Sequence, residues 1–319
     1  MILFWTDPAA PGGWSRLERS ITLGIHAVAR RDMVVALPRN RGAEKYLAAR
    51  RIAFVSHEQA LHRCPQEIDL LVLDVAGRDR SAMQVTESCL LNRVALYAIH
   101  DPGDAAGGTE EVALGSWPPN HDPQSPPGPA WAILHPRFRH VNRLKRAYPR
   151  RARKLLLHLE DRCTHRGLSD LIDELWRKGF RLRVGPVSSI RDNLKRALSR
   201  KYPGLRWVGA AECMARPLLE ADVAIVAPGA AALEAAAAGT PALYLSRTQA
   251  ERDAAAKLES LGFGVAVTTS LSRSLEDLNH ETLRRLGETG RNRVDARGLF
   301  RTLEFLRDRG HLPPRLNGA

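Results

Sequence analysis

The sequence predicts an α/β protein in which two doubly wound, Rossmann-like sheets follow one another along the chain. Short apolar runs alternate with helical segments over most of its length, which is the pattern of a parallel sheet covered by helices. Residues 101–130 interrupt this alternation with a segment rich in proline and glycine, too long for an ordinary loop inside one compact unit. The 319 residues, 44% of them hydrophobic, suffice for two cores.

Eight apolar runs are the expected strands. Each is short and bounded by polar residues, glycine or proline, as buried parallel strands are. In chain order they are Ile2–Trp5, Met33–Leu37, Leu70–Leu73, Ala95–Ile99, Lys154–Leu159, Arg181–Val184, Val223–Val226 and Ala242–Leu245. Apolar spacing predicts a helix over Trp14–Arg30, and Leu299–Arg309 is the expected last helix.

These elements divide the chain into a first domain at 1–130, a second domain at 131–298, and a C-terminal helix and tail at 299–319. Two such domains are expected to face each other across a central cleft at the carboxyl ends of their strands, where α/β proteins bind ligands. The loop 101–130 closes the first domain, and we expect it near that cleft.

The net charge of +13 is concentrated in one segment, 137–154, which holds nine Lys or Arg residues and no acidic residue. A solvated basic surface, an anionic membrane surface, a phosphorylated acceptor and nucleic acid are the alternative interpretations. No zinc finger, RNP motif or helix-turn-helix accompanies the charge. Nucleic acid is therefore the least favoured partner.

The composition favours a cytoplasmic protein, with peripheral attachment to the inner membrane as an alternative. No run of ~18 apolar residues occurs, and the opening strand is followed at once by Thr6, Asp7 and Pro8, unlike a signal peptide. The four cysteines are scattered without a CxxC pair, so neither a disulfide framework nor a metal site is expected.

Residues 221–245 carry the clearest local signal. The strand Val223–Val226 is followed by Gly229 and then by residues 230–238, which strongly favour a helix. Gly239 ends this helix, and the strand Ala242–Leu245 follows. A glycine between a strand and a helix amino terminus leaves backbone N–H groups available to an anion such as a diphosphate. An ordinary βαβ turn is the alternative.

The surrounding residues also resemble known families. Six features follow one another in a fixed order in this part of the chain. They are a methionine (Met214), an Ala-Asp pair before a strand (Ala221 and Asp222), a glycine turn (Gly229), a helix glutamate (Glu234), a Gly-x-Pro sequence that ends the helix (Gly239 and Pro241) and a glutamine (Gln249). Residues 204–267 thereby resemble the donor-binding half of GT-B glycosyltransferases that add GlcNAc to a peptidoglycan lipid. They are more similar still to the UDP-sugar hydrolases of pseudaminic acid biosynthesis and their spore-coat polysaccharide relatives. Segments 69–79 and 131–139 resemble the hydrolases too.

The resemblance implies the GT-B fold and a set of donor-binding residues. In these families the glycine turn receives the donor diphosphate and the helix glutamate accepts hydrogen bonds from the ribose hydroxyls. The turn would consist of Gly229, Ala230 and Ala231. Glu234 would bind the ribose, and Gln249 would contact the sugar or the diphosphate. A carboxylate suits a vicinal diol, and small residues allow close approach. The alternatives are a solvent-facing helix glutamate and an exposed helix glutamine.

Three departures from the hydrolases stand at ligand-facing positions. Arg16 replaces the histidine that is credited with activating water, although Arg19 is retained; an arginine cannot act as a general base near neutral pH. We expect Gly13, Arg16 and Arg19 to bind phosphate instead, and a surface arginine is the alternative for Arg16. Glu160 and Asp161 replace a Gly-Gly turn and would repel a diphosphate unless a metal or Arg162 intervenes. Thr248 replaces an asparagine.

No acid or base is identified by motif. The candidates are Asp7, His26, Asp74, Asp79, His100, Asp101, His158 and His165, of which His100 is singled out because it sits at a strand's carboxyl end; Arg16 is the other catalytic candidate. A structural histidine is the alternative. GxSxG, HExxH, Walker A and GxGxxG patterns do not occur.

Three functions remain open. The leading hypothesis is a glycosyltransferase of surface-glycan assembly that uses a UDP-linked sugar and needs no cofactor. The second is a UDP-sugar hydrolase with a substituted catalytic residue, and the third is a non-catalytic GT-B-like scaffold. The sequence leaves the sugar, the acceptor and the oligomeric state open.

Overall fold

The computed structural model describes residues 1–10, 12–63, 67–75, 80–100, 115–117, 128–160, 163–187, 190–209 and 213–314. The chain forms two units. The first unit is Met1–His135 together with Arg297–Ala319, and the second is Pro136–Ala296. The structural boundary thus falls after residue 135, and the C-terminal helix, which the sequence analysis set apart, belongs to the first unit.

The first unit is a six-stranded sheet with helices on both faces. Its strands are β1 (Ile2–Thr6), β2 (Met33–Leu37), β3 (Ala53–Ser56), β4 (Leu70–Asp74), β5 (Ala95–His100) and β6 (Gly115–Trp117), in the order β3-β2-β1-β4-β5-β6. All neighbours are parallel except β5 and β6. Its helices are α1 (Gly13–Ala27), α2 (Arg41–Ala49), α3 (His57–Arg63), α4 (Arg80–Leu91) and α13 (Gly298–Asp308).

Strand β1 is buried on both faces, and this explains its uninterrupted apolar sequence. Ile2 and Phe4 pack in one core with Leu17 of α1 and with apolar side chains of α13. The alternate residues of β1 pack in a second core that includes Val85 of α4. The Tyr97 hydroxyl donates a hydrogen bond to Thr302 Oγ1 (3.3 Å) in the buried contact between β5 and α13. Helix α13 is therefore part of the first core.

The second unit is a six-stranded, wholly parallel sheet. Its strands are β7 (Lys154–His158), β8 (Arg181–Val184), β9 (Arg206–Trp207), β10 (Val223–Val226), β11 (Ala242–Tyr244) and β12 (Gly264–Ala266), in the order β12-β11-β10-β7-β8-β9. Its helices are α5 (Arg137–Arg143), α6 (His165–Arg177), α7 (Asp192–Lys201), α8 (Ala215–Glu220), α9 (Ala230–Ala237), α10 (Gln249–Ser260), α11 (Leu271–Glu276) and α12 (His280–Arg293).

The two ends of the second unit are joined by the side chain of Asn142 in α5. Its Nδ2 lies 2.9 Å from Ala237 O, 3.2 Å from Arg291 O and 3.1 Å from Val294 O. The amide thus donates to carbonyl groups near the end of α9 and at the end of α12. The chain consequently enters and leaves this unit at neighbouring points.

The predicted fold class is confirmed, and all eight predicted strands are present with their ends within one residue. The four edge strands, β3, β6, β9 and β12, were not predicted. The prediction of an unbroken loop over 101–130 is wrong at Gly115–Trp117, which pairs with β5, because so short a strand is stabilised by its neighbour rather than by its own pattern. Residues 101–114 and 118–127 lie outside the described residues.

No helix in the described part of the chain combines the length and the apolar character needed to cross a bilayer.

Gly298, the first residue of α13, tests how this helix is held. A Cβ at Gly298 would lie 2.6 Å from Trp131 O and still closer to Ala132 O, both backbone atoms that cannot swing aside. We expect Gly298→Ala to lower the free energy of unfolding by about 1–3 kcal/mol, measured by urea denaturation. Gly128→Ala is the matched control, since nothing lies within 4 Å of a Cβ there. Equal stability of the two variants would contradict this packing.

Candidate functional site

The centre of the second sheet contains a topological switch point. From β7 the chain continues to β8 and β9 on one side, then returns to β10, β11 and β12 on the other. The carboxyl ends of β7 and β10 therefore border a crevice of the kind in which open α/β sheets bind ligands. His158 ends β7 opposite Val226 of β10, and Ala227 N donates to His158 O (3.4 Å).

Helix α9 begins at this crevice directly after Gly229. The N-cap residue Gly229 is buried and offers no side-chain cap, and its carbonyl accepts from Ala232 N (3.1 Å) and Leu233 N (3.4 Å). Its backbone is extended (φ 160°), so the position does not depend on left-handed geometry. The first N–H groups of a helix have no intrahelical acceptor and carry a partial positive charge. In α9 these belong to Ala230 and Ala231, as the donor-site prediction requires.

Only one strip of α9 is accessible. Six of its eight residues are buried, and the two partly exposed ones are Ala230 and Glu234, one helical turn apart. The side chain of Ala231 is fully buried, so this residue presents only its backbone. A ligand at the start of α9 therefore meets the Ala230 methyl group and, one turn further, the Glu234 carboxylate.

The Glu234 carboxylate faces His158. His158 Nε2 lies 3.3 Å from Glu234 Oε2, with the imidazole 5% exposed and the carboxylate side chain 20% exposed. On its other side the ring packs against Gly185, where a Cβ would lie 2.8 Å from His158 Nδ1. Sequence reasoning named His158 only as one of several acid/base candidates. The proximity of His158 to Glu234 was missed because the two residues lie on different elements. Gly185, which follows β8, was the one sequence signal that a side chain packs closely at this point.

The turn after β7 keeps a glycine-like backbone although its residue is a glutamate. Glu160 has φ 49°, in the left-handed region, and is buried. This is where the resemblance expects Gly-Gly. Asp161 and Arg162 lie outside the described residues. At the far side of the turn, Arg247 Nη2 contacts Cys163 Sγ (3.5 Å), and burial raises the pKa of the Cys163 thiol, which keeps it neutral near pH 7.

Thr248, the third departure from the hydrolases, is the N-cap of α10. Its Oγ1 accepts from Glu251 N (3.1 Å), and Glu251 Oε2 accepts from Thr248 N (3.4 Å), which is a capping box. Threonine and asparagine are both favourable helix N-cap residues. Gln249 is exposed in the next position; its Nε2 donates to Asp253 Oδ1 (2.7 Å). A ligand contact by Gln249 stays a prediction.

The first unit has its own switch point, between β1 and β4. Gly12 (φ 72°) and Gly13 form the turn before α1, and a Cβ on Gly13 would lie 2.8 Å from Pro8 Cα. This close approach requires glycine. The predicted phosphate ligands of α1, Arg16 and Arg19, are 1% and 9% exposed.

Both arginines are directed at Asp74, the last residue of β4. Arg19 contacts it twice, Nε to Oδ2 at 2.9 Å and Nη2 to Oδ1 at 2.5 Å, and Arg16 Nε lies 4.0 Å from Oδ1. Ser20 Oγ donates to the same carboxylate (3.3 Å). The predicted surface alternative for Arg16 does not describe a side chain this buried. Phosphate binding by Gly13, Arg16 and Arg19 stays a prediction.

The remaining acid/base candidates are dispersed. Asp7 Oδ1 accepts from Ala9 N (2.8 Å), His26 Nδ1 contacts Thr22 O (2.8 Å), and His165 begins α6. His100 ends β5. Asp79 and Asp101 lie outside the described residues. Among the described residues, no three His, Cys, Asp or Glu side chains are grouped as metal ligands would be.

Solved structures with the same fold cover almost the whole chain. MurG of Acinetobacter baumannii is 15% identical, the match covers 96% of this chain and 99% of that one, and the TM-score is 0.61. Anabaena HepE, solved with UDP-glucose, is 13% identical over 97% and 99% of the two chains (TM-score 0.57). The Streptomyces sp. SF2575 glycosyltransferase SsfS6 is 15% identical over 95% and 99% (TM-score 0.54). No family model and no curated protein matches the sequence.

These likenesses confirm the predicted GT-B fold. The likeness to MurG supports the more distant of the two resemblances, that to the peptidoglycan lipid GlcNAc transferases, at the level of the fold. None of these comparisons bears on the resemblance to the UDP-sugar hydrolases. Identities of 13–15% carry no information on activity.

The buried contact between Arg19 and Asp74 predicts a structural role for this arginine. Removing one member of a buried ion pair leaves its partner's charge poorly compensated, so Arg19→Ala should lower the free energy of unfolding by about 3 kcal/mol in urea denaturation. Exposed Arg30→Ala serves as the control and should change it by less than about 0.5 kcal/mol. An Arg19 variant as stable as the control would show that the arginine is available for a ligand.

The packing of Gly185 on the His158 ring predicts a coupled pair of substitutions. Gly185→Ala should lower the free energy of unfolding by about 1–3 kcal/mol, because the new methyl group would displace the imidazole. In a His158→Ala background, where the ring is gone, the same change should cost much less. The double-mutant cycle in urea denaturation measures this coupling. If Gly185→Ala lowered the free energy of unfolding equally in both backgrounds, the added methyl group would clash with a group other than the His158 ring.

Proposed function

We propose that the chain binds a nucleotide sugar at the carboxyl edge of the second sheet and transfers the sugar to an acceptor in surface-glycan assembly. The observation that carries the proposal is the single accessible strip of α9. It runs from the helix amino terminus at Gly229 to the Glu234 carboxylate, and it lies at the switch point where such sheets bind ligands.

The strip supplies the two contacts that a nucleoside diphosphate needs. The diphosphate would accept hydrogen bonds from the N–H groups of Ala230 and Ala231, assisted by the helix dipole. The ribose diol would donate to Glu234, whose side chain is partly exposed and whose Oε2 lies 3.3 Å from His158 Nε2. His158 then orients the carboxylate that binds the ribose.

A UDP-linked donor is supported by relatives of the same fold. HepE was solved with UDP-glucose, and also with UDP and glucose. The role in surface glycans rests on the sequence resemblance to the spore-coat polysaccharide and pseudaminic acid proteins. Direct transfer also requires a base beside the acceptor hydroxyl and positive groups near the departing diphosphate.

Hydrolysis of the nucleotide sugar is the second candidate, and the His158–Glu234 contact favours it. A histidine beside a carboxylate is an arrangement that can activate water. It would replace the histidine that the hydrolases carry at the position of Arg16. A non-catalytic scaffold is the third candidate, in which donor binding persists without turnover.

Glu234→Ala tests the donor site. Loss of two charge-assisted hydrogen bonds should weaken binding of UDP-GlcNAc or UDP-GalNAc by roughly 10- to 100-fold in calorimetric titration, with the urea midpoint unchanged. Glu288→Ala, which removes an exposed glutamate of α12 paired with Arg284, is the matched control and should bind as the wild type does. Equal affinities of Glu234→Ala and the wild type would remove Glu234 from the site.

An assay for free sugar without acceptor separates the three candidates. Release of free sugar indicates the hydrolase, and turnover that appears only with an added glycan acceptor indicates the transferase. Saturable donor binding without either indicates the scaffold. No binding of UDP, UDP-GlcNAc or UDP-GalNAc would overturn the UDP-sugar proposal.

A further inference from the structure

A second concave site lies at the opposite, amino-terminal edge of the same sheet. The cavity has a volume of about 940 Å³ and wraps around the first residues of β7, β8 and β9. Its lining includes five cationic side chains, Arg146, Lys154, Arg181, Arg183 and Arg206, against two carboxylates, Glu220 and Asp222. Arg146 and Lys154 belong to the basic segment 137–154, whereas Arg181, Arg183 and Arg206 come from strands that are remote from it in sequence.

Four of these cations project from one face of the sheet. Lys154 is the register partner of Arg181, and Arg183 is the partner of Arg206. Partners in adjacent strands point to the same face, and so do Arg181 and Arg183, which are two residues apart on β8. The four charges therefore form a contiguous group.

Few of these charges are balanced by acidic side chains. Arg183 pairs with Glu220 (Nη1 to Oε2, 2.6 Å), and Asp222 accepts hydrogen bonds from the backbone N–H groups of Arg153 and Lys154 (both 2.8 Å). Within the described residues, Lys154, Arg181 and Arg206 form no ion pair. Like charges opposite one another on neighbouring strands are destabilising, so the arrangement favours an external anion.

Arg146 has a different role from the other cations. Its guanidinium donates to Leu219 O (2.9 Å) and to Thr240 Oγ1 (3.1 Å), and it also contacts Ala221 O. It thus binds carbonyl groups at the end of α8 instead of extending into solvent. The cations available to a ligand are those at the strand starts.

The other wall of the cavity is apolar. Leu155 and Leu182, each one residue along from a cation, border the cavity on the opposite face of the sheet, where they are buried in the core. Trp176 of α6 and Phe180 after it complete this wall, and both aromatic rings are partly exposed. A ligand that fills the cavity therefore meets a cationic side and an aromatic side at once.

A basic rim continues from the cavity along the chain. A shallower depression of about 600 Å³, which shares Lys154, Arg181 and Asp222 with it, is also lined by Arg150, Arg151 and Arg153. All three arginines are exposed. The cationic surface is thus broader than the cavity mouth, as binding of a headgroup that carries phosphate requires.

We propose that this cavity binds a phosphate-bearing amphiphile, with the phosphate on Lys154, Arg181 and Arg206 and the apolar part against Trp176 and Phe180. The phosphate can belong to a lipid headgroup in a membrane or to a soluble phosphorylated compound. The site is distinct from the candidate donor site, because Lys154 and His158 are the first and last residues of β7 and lie about 13 Å apart. The proposal does not depend on nucleotide-sugar binding.

The test uses the full chain and two probes. One is dihexanoyl phosphatidic acid below its micellar concentration, titrated calorimetrically. The other is vesicles of phosphatidylcholine and phosphatidylglycerol in equal parts, in a sedimentation assay. Arg181→Glu/Arg206→Glu should weaken binding of at least one probe by about tenfold or more. Arg41→Glu/Lys45→Glu on α2, both exposed, changes the net charge equally and is the matched control.

The outcomes separate the sources of the phosphate. Weakening with vesicles identifies a lipid headgroup, and weakening with the short-chain lipid alone identifies a soluble ligand. If Arg41→Glu/Lys45→Glu weakened probe binding as much as Arg181→Glu/Arg206→Glu, the effect would be due to overall charge and the proposed site would be overturned. Unchanged probe binding by Arg181→Glu/Arg206→Glu would also overturn it. Preferential binding of a single-stranded oligonucleotide over both probes would also overturn it, in favour of nucleic acid.

A neutral variant guards against loss of the fold. Arg181→Gln/Arg206→Gln removes the repulsion with Lys154 and Arg183, so its urea midpoint should equal or exceed that of the wild type while probe binding falls. A variant with reduced stability and reduced binding in parallel would assign the two arginines to the fold rather than to a ligand.

Discussion

The parallel register between β7 and β10 is the constraint on which the second unit depends. It places His158 opposite Val226, so that the end of one strand and the turn that starts α9 meet at the same edge. A slip of one residue would turn the His158 side chain to the other face of the sheet and separate it from Glu234. The same register sets the other ends of these strands, where Asp222 N donates to Lys154 O (2.8 Å).

The two switch points differ in how their charges are arranged. In the first unit, Arg16 and Arg19 converge on Asp74 and are buried. In the second, the Glu234 carboxylate is only partly buried and has a histidine beside it. A partly exposed carboxylate is suited to a ligand, whereas the cluster around Asp74 is chiefly a packing element in the observed geometry.

The central elements were predictable from sequence, and the edges were not. Strands such as β1 and β10 are buried on both faces, so their apolar runs are sufficient signals. Strand β9 is the dipeptide Arg206–Trp207 and β6 is Gly115–Trp117; both are held by one neighbour and have no pattern of their own. In the site, Gly229 came from the strand–glycine–helix pattern and Glu234 from the resemblance. The pairing of Arg19 with Asp74 and of His158 with Glu234 joins separate elements, which only the sheet register brings together.

The chain of the first unit is interrupted by the second. Helix α13 returns after residue 296 to complete a core that starts at β1, and Leu299, Leu303 and Leu306 are among its buried residues. A fragment that stops at residue 135 would thus expose the apolar surface that α13 covers, and it would be prone to proteolysis and aggregation. The second unit is continuous, and Asn142 holds its two ends together. Both cores therefore stay intact when residues 136–296 are expressed as one protein and the two flanking segments of the first unit are joined in another.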